Sequence, residues 1–129
     1  MAGSAAVMAL LGLAASFGPE EVLMVSGVTP IGELKVFVQV AGALYLGFAM
    51  LNWMSKDSVI GGIYARPTVL ANFLHFFAGG MALLKAAAGG PTSSALWPLA
   101  IVYAVFAAGF GLVAFRPAQL RQETKDERR

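Results

Sequence analysis

No charged side chain occurs between Lys85 and Arg116, and none between Met1 and Glu20. Uncharged stretches of this length cannot be clothed in water, because a soluble fold keeps charges on its outward faces. Over the 129 residues 58% are hydrophobic and 12% charged, where a soluble domain carries about 25% charged residues. The mean hydropathy of +0.73 agrees. Lipid is the natural solvent for such a chain, so the expected class is an all-α integral membrane protein.

A bilayer core takes about 20 apolar residues in helix, within a range of roughly 17–25. Residues 34–54, 68–88 and 95–115 meet that length, and 2–17 forms a shorter first span ending at Gly18-Pro19. A span of that length crosses a thin or locally thinned bilayer at modest cost. A cleaved signal peptide is the rival for the first segment, with Ala14 and Ser16 as small residues ahead of a cut. It is disfavoured because no basic residue precedes the apolar run. The expectation is one four-helix transmembrane domain over 1–115, followed by a charged cytoplasmic tail over 116–129.

Lysine and arginine placement orients these spans. The tail holds Arg116, Arg121, Lys125, Arg128 and Arg129, and the middle connection adds Lys56 and Arg66. The stretch from Gly18 to Glu33 has no basic residue, nor has GGPTSS. Both termini and the middle loop are therefore expected in the cytoplasm. This topology absorbs the formal charge of +2, so no nucleic-acid partner is implied, and the tail reads as a solvated segment touching anionic lipid. Trp53 and Trp97 fall at span ends, where an apolar ring with one N–H finds both lipid and water. Lys35 and Lys85 lie near the outer ends of their spans, where their stems snorkel.

Between the first two spans, FGPEEVLMVSGVTP predicts a short interfacial helix. Pro19 suits a helix start, Glu20 and Glu21 favour its N-terminus, and Gly27 ends it. Small residues then offer close-approach surfaces for helix packing in lipid. They are Ala41, Gly42, Ala43 and Gly47 in the second span; Gly79, Gly80, Ala82 and 86–88 in the third; and Ala107, Ala108, Gly109 and Gly111 in the fourth. Phe73, Phe76, Phe77, Tyr103, Phe106 and Phe110 are candidates to line a pigment or quinone groove, although core or lipid-facing filling is their commoner use.

Polar groups inside a span are the default place to look for a site. Asn52, Arg66, Asn72 and His75 gather toward the cytoplasmic side, with Asn72 and His75 at i and i+3 on one helix face. Tyr45 and Gln39 lie further outward on the second span. Two readings follow. In one, the four form a ligand-binding pocket: Arg66 anchors a phosphate or carboxylate and His75 donates, accepts or moves a proton. In the other, which is favoured because such pairs are ordinary helix glue, the asparagines and His75 bond one another and set helix register. The segment SVIGGIYARP is unusually apolar for a cytoplasmic loop and would hold Arg66 close to Asn72.

Much chemistry is missing. There is no cysteine, hence no disulfide, cysteine zinc site or iron–sulfur cluster. One histidine supplies no two-histidine metal site, no carboxylate falls inside a span, and no nucleophile–base set or phosphate-cradling GxxxxGK[ST] motif occurs. No catalytic residue and no metal site is assigned. No cofactor is expected; the readings left over are a quinone, or haem held by His75 with Met50, Met54 or Met81, the methionines being ordinary filling as well.

The order of a short first helix, an FGPEEVL turn, GALYLGFAMLNW and two further spans resembles the small bacterial four-helix membrane proteins of the DoxX-like kind. The resemblance implies that fold and a bacterial inner-membrane location; it carries over no functional residue. The expected function is a non-catalytic accessory or assembly subunit packing against a larger membrane complex or against itself. The alternative is a lipid- or quinone-binding membrane protein, enzymes included, with a cytoplasmic-side polar pocket.

Overall fold

The structure is a computed structural model, and it describes residues 1–57, 65–89 and 96–115. Five helices, and no strand, occur among the described residues: α1 Ala2–Phe17, α2 Pro19–Val25, α3 Gly32–Met54, α4 Ala65–Ala88 and α5 Trp97–Ala114. The spans expected at 34–54, 68–88 and 95–115 thus correspond to α3, α4 and α5. All three are long and apolar enough to cross a membrane. Their outward faces suit lipid, since Phe37, Leu44, Leu74, Val105 and Leu112 are all exposed.

Helix α1 differs from the others. Its 16 residues reach about 24 Å at 1.5 Å per residue, short of the roughly 30 Å hydrocarbon core. Together with α2 it would be long enough to span, but the pair is bent by 106° at Gly18. The bend follows from local chemistry. Gly18 caps α1 through its N–H to the Ala14 carbonyl, and Pro19 opens α2 at a position where no N–H is needed. Glu20 and Glu21 occupy the first turn of α2, whose free N–H groups favour negative charge. The chain leaves α2 through Gly27 at φ 75°, a conformation glycine adopts without steric penalty.

Leu23, the one buried residue of α2, anchors it. Lys35 Nζ meets Glu20 Oε1 at 2.5 Å and ties α2 to the start of α3. Both side chains are partly exposed, so this pair contributes about 0–1 kcal/mol. Gln39 Nε2 donates to the Ser16 carbonyl at 3.3 Å and links α3 to the end of α1.

The closest packing joins α1 to α3 and α4 to α5, and glycine makes both approaches. A Cβ on Gly12 would lie 2.8 Å from Leu46 Cγ, and one on Gly42 would lie 2.7 Å from the Ser16 backbone nitrogen. In the second pair, Gly79 makes room for the Tyr103 ring and Gly111 for Phe73. Helix α3 touches α4 more loosely at the backbone, and side chains fill the seam. Met8 from α1, Ala49 from α3, Val69 and Phe76 from α4, and Tyr103, Ala107 and Phe110 from α5 form one core. Phe76 is its centre: fully buried, stacked on Phe106 at 4.9 Å and edge-on to Tyr103 at 5.1 Å.

Candidate functional site

Four buried polar residues lie together where α1, α3 and α4 meet: Ser4, Asn52, Thr68 and Asn72. Asn52 stands near the end of α3 and Asn72 in the second turn of α4. Their amides face each other and exchange two hydrogen bonds. Asn52 Nδ2 donates to Asn72 Oδ1 at 2.7 Å, and Asn72 Nδ2 donates to Asn52 Oδ1 at 2.6 Å. Each amide has one further hydrogen. That of Asn72 goes to the Thr68 carbonyl at 2.8 Å, and that of Asn52 to Ser4 Oγ at 3.2 Å, with Met8 Sδ at 3.5 Å beside it. The Ser4 hydroxyl in turn donates to the Met1 carbonyl at 2.8 Å. The set is closed, and no enclosed side-chain nitrogen or oxygen among the described residues lacks a partner. Neutral amides with every hydrogen engaged offer neither charge nor a transferable proton. What they do is fix the axial position of three helices against one another.

One turn along α4 a different cluster begins. His75 Nε2 lies 3.3 Å from the Tyr103 hydroxyl, which is hydrogen-bonded to the hydroxyl of Tyr45. Aromatic rings surround the imidazole: Phe48 at 5.0 Å, Phe76 at 5.2 Å, Tyr45 at 5.4 Å and Tyr103 at 5.6 Å. Gly79 makes this arrangement possible, since its missing side chain would sit 2.7 Å from Tyr103 Cε1. Tyr103 therefore reaches from α5 across α4 to both His75 and α3.

The four candidates from the sequence are thus distributed. Asn52 and Asn72 come together; His75 belongs to the aromatic cluster beyond them. Arg66 lies exposed in the first turn of α4, without an ion pair or side-chain hydrogen bond among the described residues. Residues 58–64, expected to hold Arg66 near Asn72, and the tail 116–129 lie outside the described residues. Sequence reasoning passed over Ser4 and Thr68, and it weighed Tyr103 only as a groove-lining candidate or as filling. A serine within an otherwise apolar α1 was the available signal for the first of these.

Two grooves account for most of the remaining aromatics. One, of about 520 Å³, runs between α4 and α5 and is lined by Phe73, Phe76, Phe77, Gly80 and Leu84 among others. The other, of about 170 Å³, lies beside Met1 and is lined by Val69, Phe106 and Phe110. Neither is lined by Asn52, Arg66, Asn72 or His75. An apolar hollow of this kind lacks the few convergent polar groups that orient a ligand. Among the described residues no cluster of three or more histidine, aspartate or glutamate side chains is placed to hold a metal. Met50, Met54 and Met81 are all exposed, and His75 Nε2 is engaged by Tyr103.

Comparison of the chain with protein-family models, with characterised proteins and with solved structures gives no match.

Proposed function

We propose that this chain is a non-catalytic membrane protein whose α1, α3, α4 and α5 all cross the bilayer, and that it serves as an assembly or accessory subunit, packing against a larger membrane protein or against its own copies. The observation that carries the reading is the closed hydrogen-bond set of Ser4, Asn52, Asn72 and the Thr68 carbonyl. The most buried polar groups are spent on one another, as helix glue is, and are not held open for a substrate. Outward-facing small residues lend support. Gly47 and Gly109 have nothing within 4 Å of a built Cβ, and Ala108 is exposed on the rim of the α4–α5 groove. In lipid, small residues facing outward permit close approach by another helix.

Gentle extraction from the native membrane followed by native mass spectrometry tests this. The expected result is an assembly heavier than the single 13.5 kDa chain, reduced to the single chain by Ala108→Leu or Gly47→Leu. A single chain already in the mildest detergent would overturn the reading.

The proposed orientation places the termini, Lys56 and Arg66 in the cytoplasm of a bacterial cell, with α2 on the outer interface. Because the chain has no cysteine, single replacements report topology cleanly. Thr29→Cys is expected to react with a membrane-impermeant maleimide in intact cells, and Asp57→Cys only after the membrane is broken. The reverse pattern would invert the topology.

A further inference from the structure

The Tyr45–Tyr103–His75 cluster contains more hydrogens than its contacts can use. The two hydroxyls and a neutral imidazole bring three polar hydrogens, yet the three groups are joined by only two contacts. No other hydrogen bond from these side chains occurs among the described residues. If the chain of bonds runs from Tyr45 through Tyr103 to His75 Nε2, the spare hydrogen sits on His75 Nδ1. If it runs the other way, the spare hydrogen is the Tyr45 hydroxyl's. A charged imidazole would add one more, so the surplus persists in either imidazole state while both phenols keep their hydrogens.

The spare group is also reachable. No enclosed side-chain nitrogen or oxygen among the described residues lacks a partner, so Nδ1, which has none, is not enclosed. His75 is only half-buried and lies on the seam where α3 packs loosely against α4. It stands near the middle of α4, about 15 Å from its start at Ala65. If α4 spans the bilayer, that depth is beyond the ester carbonyls and water of the interface.

Water does not resolve the surplus. A water that accepts the spare hydrogen brings two of its own into a setting of Phe48 and Phe76. Even if one of these closed a ring back to Nδ1, the other would be left over. Only an acceptor without hydrogens balances the count.

We infer that this seam is a binding site for a lipid-soluble carbonyl compound, whose oxygen accepts the spare hydrogen of the His75–Tyr103–Tyr45 chain while the rings of Tyr45 and Phe48 contact its apolar body. The site is separate from the closed asparagine set. It rests on the membrane-spanning reading of α4 and not on the assembly role.

The test uses the full chain in phosphatidylcholine vesicles with two probes of the same shape, 9-fluorenone and fluorene, which differ by the carbonyl. After correction for partition into protein-free vesicles, fluorenone is expected to be retained about tenfold more than fluorene, the worth of one hydrogen bond in an apolar setting. Its carbonyl infrared band should show a protein-dependent component at lower frequency. The triple variant Tyr45→Phe, His75→Phe, Tyr103→Phe, which removes every hydrogen of the chain, is expected to abolish both signals, and Tyr45→Phe alone to keep them, because the bond from Tyr103 to Nε2 still leaves the Nδ1 hydrogen free. Should the triple variant lose its helical circular dichroism, the comparison of the two probes on the unaltered chain decides alone. Equal retention of the probes, or a shifted band that survives in a folded triple variant, would overturn the site. A chain that fails to float with the vesicles would instead overturn the spanning reading on which the site depends, and the site with it.

Discussion

Replacing Asn72 with alanine is expected to destabilise the protein by about 2–3 kcal/mol, the cost of leaving Asn52 with an orphaned carbonyl oxygen and an orphaned N–H in an enclosed seam. The starting geometry is tight, with two amide–amide bonds of 2.7 and 2.6 Å. Polar pairs between membrane helices average less than this, about 0.6 kcal/mol, because the separated helices find other partners. The present pair should exceed that average, since Ser4 and the Thr68 carbonyl complete it and cutting one member strands the rest. Equilibrium unfolding in mixed micelles measures the loss. The double variant Asn52→Leu with Asn72→Leu is the sharper measurement, because it removes both amides and leaves no stranded group between them. Its cost should fall short of the sum of the two single leucine variants by at least about 1 kcal/mol. Simple additivity would mean that the amides do not act as a unit.

A second large effect is expected where no polar chemistry is involved. Gly42→Ala should cost about 2–3 kcal/mol, at the upper end of overpacking penalties. The added methyl would lie 2.5 Å from Ser16 Oγ, 2.7 Å from the Ser16 backbone nitrogen and 3.0 Å from the Ala15 carbonyl carbon. A hydroxyl can rotate away; a helix backbone cannot, so α1 would have to move from α3. The same change at Gly47, in the same helix, meets nothing within 4 Å. There alanine should be neutral, or stabilising by up to about 1 kcal/mol through its better helix propensity. Thermal unfolding of the two variants side by side checks the contrast, and equal shifts would mean that α1 and α3 do not pack as described.

Both predictions bear on what could be read ahead of the structure. The positions of the long helices were legible, because continuous apolar runs admit few alternatives once water is excluded as the solvent. So was the break at Gly18-Pro19, with Glu20 and Glu21 opening α2 and Gly27 following its end: helix termini obey local rules of backbone and charge that do not wait for a neighbour. That Asn52 lies at the depth of Asn72 followed from counting residues along two adjacent spans.

The assignment of partners was not legible. Asn72 and His75 share a face at i and i+3 and so read as one site, yet the first is bonded to α3 and the second to Tyr103 of α5. One turn of rise along a helix, combined with the rotation between such positions, is enough to present two side chains to different neighbours. Tyr103 reaches His75 only because Gly79 leaves space for its ring, a relation between two helices that no single stretch of chain encodes. Glycines make the same point. Gly42 and Gly47 are alike in the sequence, one at a backbone contact and the other facing outward, and Gly12 drew no notice although it packs on Leu46. Solvent preference and helix ends are written residue by residue, so the amino-acid sequence by itself determined where the helices form. Which hydrogen finds an acceptor, and which one is left without, depends on distances between helices, and these only the tertiary structure decided.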